Sequence, residues 1–292
     1  MELELKRGGR TARVETLGGE LVSYRDERGL EYIWGGDPAY WPGRNPLLFP
    51  IVGMLKEGKI RFDGREYAME RHGFARRREF TPAARGEDWV RLELRESAET
   101  LALYPYPFRL AVEQRLTDTG FSTAVTVANP GEGPLPFCLG AHTGFRCPLE
   151  AGERFEDYEL VFPERESCPT LLLRDGLLDR PAALPCLEDT DTLPLDYRWF
   201  DALDTLIFEG LRSRSVTLRS RKSGRGVRVS FDGFPMLAFW TMPGKKAPYL
   251  CIEPWHGCSA GTGEGEEFTS KAHCIVLAPG ESRTLAYRAD TL

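Results

Sequence analysis

An all-β protein, built as one large antiparallel β-sandwich, is the fold this sequence predicts, and three observations carry the reading. Apolar and charged residues alternate singly over most of the chain, the period of half-buried strands. No window of about a dozen residues holds an apolar stripe at helical spacing. Turn residues, chiefly Gly, Asp and Pro, punctuate the alternating runs. A chain of 292 residues has room for two average domains, but all-β sandwiches of this size are commonly one. Residues 1–292 are therefore read as a single domain. Apolar residues make up 41% and charged residues 28%, with 16 Phe, 10 Tyr and 6 Trp, the composition of a globular protein with an aromatic core.

The strands follow in chain order. In "WVRLELRE", Val90, Leu92 and Leu94 alternate with Arg91, Glu93 and Arg95. "FRLAVEQRL" continues the period through Phe108, Leu110, Val112 and Leu116, and "TDTG" then turns the chain into "FSTAVTVAN". That is a hairpin signal, with Gly120 available for a positive φ. The segment from about Glu150 to Asp201 is richer in Pro, Asp and Glu and reads as long loops over one face. "SVTLRSRKSGRGVRVSF" forms a second hairpin, Val216 and Leu218 answering Val227 and Val229 across a Gly-containing turn. "HCIVLAP" and "RTLAYRA" are the last strands, joined by "PGES".

Composition also excludes functions. The formal net charge is -6, whereas nucleic-acid binding needs a broad basic face. No run is apolar and long enough for a secretory signal or a membrane helix, so the chain is read as cytoplasmic and free of membrane. Its seven cysteines are odd in number and lack a C-x-x-C pair; they read as reduced packing residues rather than a disulfide frame or a zinc site.

Chemistry must then rest on few residues. The four histidines are His72, His142, His256 and His273. His142 lies in "LGAHTGF", between glycines at 140 and 144 that let backbone or ligand approach closely. Taken alone it reads equally well as a hydrogen-bonded structural histidine. Glu253 follows the apolar "YLCI" directly, and a carboxylate at the end of a buried strand is costly unless paired or functional. The two supply an acid and a base from distant segments. "MERHGFARRREF" sets His72 among Arg71, Arg76, Arg77 and Arg78. In a strand Arg76 and Arg78 share a face and Arg77 points away. A metal site of His72, His142, Glu253 and His256 is disfavoured: in an extended segment Glu253 and His256 point to opposite faces, and Pro254 opposes the helical turn that would reunite them.

Six stretches, in order, carry a resemblance: "GRNPLLFPIVGMLKEG" (43–58), "RHGFAR" (71–76), "LGAHTGF" (139–145), "DTLIF" (204–208), "FPMLAFWTMPGKKAPYLCIEPWHG" (234–257) and "LAPGES" (277–282). The chain resembles the aldose 1-epimerase (galactose mutarotase) superfamily, in particular its mutarotase-like branch near the hexose-6-phosphate epimerases. The resemblance implies a β-supersandwich that interconverts the α and β anomers of an aldose or aldose phosphate. It implies His142 as acid, Glu253 as base, and Asp204 and His72 as holders of the sugar. Arg44 and Arg76 match basic residues of the sugar-phosphate branch, while Arg71 stands where that branch commonly has glutamine. The expected partner is a small sugar or sugar phosphate, the expected state a monomer or weak homodimer, and neither metal nor other cofactor is required. The competing reading is a catalytically silent carbohydrate-binding module, which would need neither acid nor base.

Overall fold

The computed structural model describes residues 1–180 and 182–292. Its centre is a fifteen-stranded sheet. The main path runs from Leu47–Leu48 through Leu139–Ala141, Tyr249–His256, Met236–Trp240, Thr205–Glu209, Tyr158–Arg174, Ser215–Ser220 and Gly226–Ser230 to Ser282–Thr291. It continues through Gly120–Ala128, Arg109–Leu116 and Trp89–Arg95 to Thr81–Arg85. Neighbours along it are antiparallel. A sheet this wide curls on itself, and a single core draws on both ends of the path: Phe49, Leu250 and Ile252 pack with Val112, Val125, Val229 and Leu285. A three-stranded sheet, Glu2–Arg7, Arg10–Glu15 and Glu20–Arg25, is separate. This is the large antiparallel β-sandwich that the alternation predicts.

The two sequence-derived hairpins form in register. Trp89–Arg95, Arg109–Leu116 and Gly120–Ala128 make a meander, and Val216 and Leu218 stand opposite Val229 and Val227. Gly120 has a different reason from the expected one. It is not among the glycines with positive φ; the carbonyl oxygen of Ala289 occupies the place where its Cβ would stand, so the neighbouring strand forbids a side chain. The last two strands pair elsewhere and not with each other. Ile275–Leu277 pairs with Leu135–Phe137, while Ser282–Thr291 pairs with Gly120–Ala128 and Gly226–Ser230.

The 150–201 region corrects the expectation of loops. Tyr158–Arg174 and Leu177–Pro194 form a long hairpin arm, followed by the short helix Tyr197–Leu203. Four register shifts interrupt the arm's ladder, the first between Val161 and Glu166. Each shift resets the two-residue period, which hides these strands from a search for alternation. At the tip, Asp175 and Gly176 both take positive φ, 51° and 78°, as a two-residue primed turn requires.

Candidate active site

The strand Tyr249–His256 is buried from Tyr249 to Trp255, with only His256 half-exposed, and its two faces do different work. Leu250 and Ile252 enter the main core, while Tyr249, Cys251 and Glu253 project to the other side; Trp255 both packs on the main core and lines the space beside Glu253. Next to this strand lies a chain segment broken only at His142, between Leu139–Ala141 and Thr143–Arg146. The register is the same on both sides of the break, Gly140 opposite Trp255 and Thr143 opposite Ile252. His142 therefore stands opposite Glu253, although the two lie far apart in sequence. His142 Nε2 lies 3.4 Å from Glu253 Oε1. Across the strand's other edge Glu253 faces Ala238, the smallest chiral side chain, which leaves the space above the carboxyl open.

Three tryptophans wall this space. The Trp41 ring stacks near His142 at a centroid distance of 4.8 Å and 32°, and Trp240 presents an edge to both, 5.5 Å from each. Glycines 140 and 144 make room for these rings rather than for a ligand. A Cβ at Gly140 would meet Trp255 Cδ1 at 2.9 Å, and one at Gly144 would meet the Trp41 ring at 3.0 Å. The cleft so formed holds about 260 Å³, just below the roughly 300–1,000 Å³ of sites for drug-sized ligands. Its wall includes His72, Arg71, Arg76, Asp204 and, from the arm's tip, Leu173 and Gly176.

Each candidate has a defined posture. His72 sits at φ 67°, and its Nδ1 accepts the Gly53 N–H at 3.0 Å. That bond leaves Nδ1 without a proton and makes Nε2 the N–H donor. Burial, then the proximity of His142, pushes the His72 pKa well below the usual 6.5, which agrees with a neutral ring. Asp204 takes φ 61°, ψ -64°, a rare and strained γ-turn geometry. Its carboxylate accepts Trp240 Nε1–H at 3.3 Å and faces the cleft.

The arginines separate into pairs and free cations. The segment Ala75–Arg77 is a 3-10 turn, not the strand expected, so side-chain direction there does not alternate. Arg77 pairs with Glu70 and Arg78 with Glu99. Arg71 and Arg76 make no ion pair among the described residues; Arg76 Nη2 donates to the Arg71 carbonyl at 2.8 Å. Arg44 is a correction: its guanidinium turns to the Gly35 carbonyl at 3.2 Å and to Glu15 at 3.6 Å, and it is absent from the cleft lining. Only its backbone serves the site, its carbonyl accepting Gly144 N–H at 2.7 Å. His256 also lies apart, its Nδ1 at 2.8 Å from the His273 carbonyl.

Electrostatics give the pair an unexpected resting state. Burial lowers the His142 pKa to about 3, with Arg76 and Arg71 contributing. Burial, with Asp204 nearby, raises that of Glu253 well above 4.5. Both shifts favour a neutral imidazole beside a protonated carboxyl. That arrangement carries the same number of protons as an imidazolium beside a carboxylate, so the proton-transfer capacity is intact and only its starting distribution differs. Buried polar atoms without partners point to a ligand. Arg76 Nε, His142 Nδ1, Glu253 Oε2 and Trp255 Nε1 are four of the eight such side-chain atoms among the described residues, and all four residues line this one cleft. Native proteins leave few buried groups unpaired, so their convergence marks where polar partners arrive. The tryptophans and this convergence escaped the sequence reading; aromatic residues near "GRNP" and "LAFW" were a signal, but many other aromatics share it.

Comparison with known proteins agrees with this architecture. The family model described as aldose 1-epimerase matches residues 1–289. Protein LacX (plasmid) of Lactococcus lactis subsp. lactis is 41% identical over 295 aligned positions, covering 98% of each chain. A galactose mutarotase related enzyme from Lactobacillus acidophilus superposes with a TM-score of 0.95 at 26% identity, over 100% of this chain and 97% of the other. A galactose mutarotase-like protein from Lactobacillus casei gives 0.93 at 27% identity, with both chains covered completely. The fold is that of the galactose mutarotase-like proteins, and the chain belongs to the aldose 1-epimerase family.

Proposed function

We propose that this protein is an aldose 1-epimerase, an isomerase that interconverts sugar anomers with His142 and Glu253 as its proton-transfer pair. The observation that carries the reading is the buried His142–Glu253 pair, 3.4 Å apart, on the floor of the cleft. Opening the ring needs a proton removed from the anomeric hydroxyl and another delivered to the ring oxygen. The pair holds one mobile proton, which suffices. With glutamate as base and imidazolium as acid, opening leaves neutral His142 and protonated Glu253, the distribution that burial already favours. Rotation about C1–C2 and the reverse transfers close the other anomer. The site thus stabilises the proton distribution that accompanies the open chain.

In this reading His72 Nε2–H donates to a sugar oxygen, and the Asp204 carboxylate accepts from hydroxyls. Arg71 and Arg76, cations without carboxylate partners, favour a substrate carrying a phosphate or another acidic group. Anomer-exchange NMR over hexoses, pentoses and their phosphates tests the proposal. Exchange cross-peaks with at least one aldose are expected; a flat result over the whole series refutes it and leaves a sugar-binding role.

A further inference from the structure

The strand that carries Glu253 sets a second reactive side chain on the same face. Cys251 is two residues earlier, wholly buried, and packs with Trp34, Tyr249, Trp41 and Trp240. A thiol sulfur of Cys251, an imidazole nitrogen of His142 and a carboxylate oxygen of Glu253 lie within 4.8 Å of one another, a spacing no other trio of His, Cys, Asp and Glu meets among the described residues. We propose that His142, Cys251 and Glu253 form a binding site for a borderline-soft divalent cation such as zinc, and that the cation competes with the sugar.

The donor set argues for zinc over magnesium or calcium, because hard cations take oxygen ligands and a thiolate selects softer metals. Three protein donors with a fourth position open to a cleft is a recurrent zinc arrangement. His142 Nε2 and Glu253 Oε1, 3.4 Å apart, already stand at about the separation of two donors on one tetrahedral zinc, and the two residues are only 8% and 1% exposed. Zinc bonds of about 2.0–2.3 Å require the three donors to draw together by about 1 Å. As zinc binds, the Cys251 thiol proton and the Glu253 carboxyl proton both pass to solvent, while the neutral His142 imidazole has none to lose. The cation is no participant in anomer exchange; it occupies the two groups that exchange protons. Binding stands on geometry alone, whereas competition rests on the proposed mutarotase reading.

Cobalt(II), a spectroscopic substitute for zinc, separates the two. Titrating the wild-type protein with cobalt is expected to produce a thiolate-to-cobalt charge-transfer band that zinc abolishes. Cys251→Ser and Cys251→Ala should each lack the band, while Cys258→Ser keeps it. No band in the wild type, or an unchanged band in both Cys251 variants, overturns the site even if the protein proves to have no epimerase activity. In the exchange assay, zinc should slow the wild type reversibly, with chelator restoring the rate, and Cys251→Ser should need at least about tenfold more zinc for the same inhibition. A cobalt band without any slowing by zinc overturns the competition.

Discussion

Replacing Glu253 by glutamine removes a titrating group and keeps its shape, so stability and turnover should move in opposite directions. Glu253 is 1% exposed, and burial raises its pKa well above 4.5. Below about pH 4.5 the carboxyl is protonated whether the chain is folded or not, and its ionisation costs nothing. Above that pH the unfolded chain ionises while the folded one resists, so wild-type stability falls by about 1.4 kcal/mol per pH unit until the folded pKa is reached. The Glu253→Gln variant has no carboxyl to ionise at this position and lacks the slope. It should match the wild type near pH 4 and gain on it with each unit above, by about 2–4 °C in Tm for each kcal/mol. The penalty that the depressed pKa of His142 imposes as pH falls below 6.5 is common to both proteins and cancels in the difference. Urea or thermal melts at half-unit steps from pH 4 to 8 measure it. A difference that does not change with pH would refute the neutral-pair assignment, because Glu253 would then ionise as readily folded as unfolded. At the same time anomer exchange should slow by roughly 10²–10⁴; full activity would remove Glu253 from the chemistry.

Asp204→Asn keeps the hydrogen bond from Trp240 and loses the charge, so sugar affinity should fall while the pH profile of exchange stays in place; a displaced profile would mean that Asp204 exchanges protons itself. Arg76→Met and Arg71→Met should each erase a preference for glucose 6-phosphate over glucose that weakens as salt rises, read by titration calorimetry at two ionic strengths; equal wild-type affinities at low salt would show that the free cations do not select anions. Gly120→Ala drives a methyl into the Ala289 carbonyl and should cost about 1–3 kcal/mol or more, read from the shift in urea midpoint, with no change in the cleft's chemistry.

What the sequence disclosed follows from which signals survive folding. Strands with one solvated face, such as Trp89–Arg95, announce themselves by alternation. Tyr249–His256 is buried on both faces, so its period vanishes and the division of its residues between core and cleft could not be read. Glu253 stood out because a carboxylate is rare after such a run, and His142 because histidines are few; their facing each other is a matter of register, which one strand does not encode. The long arm was hidden by its register shifts, although Asp175-Gly176 at its tip is itself a strong hairpin signal. Arg44 shows the limit of motif matching: the segment is where the resemblance places it, but the guanidinium found Glu15 and Gly35 instead.

The strand Ser282–Thr291 comes last in chain order, yet it lies inside the sheet, between Gly226–Ser230 and Gly120–Ala128. A sheet assembled without it would expose two unpaired edges, each a template for another chain, and long-range pairing of this kind makes folding slow. Until Ser282–Thr291 docks, both edges stay open, so a chain lacking that strand would be an adhesive species rather than a slightly smaller version of the same fold. The order of strands thereby makes completion of the fold an all-or-none event that depends on this one closing strand.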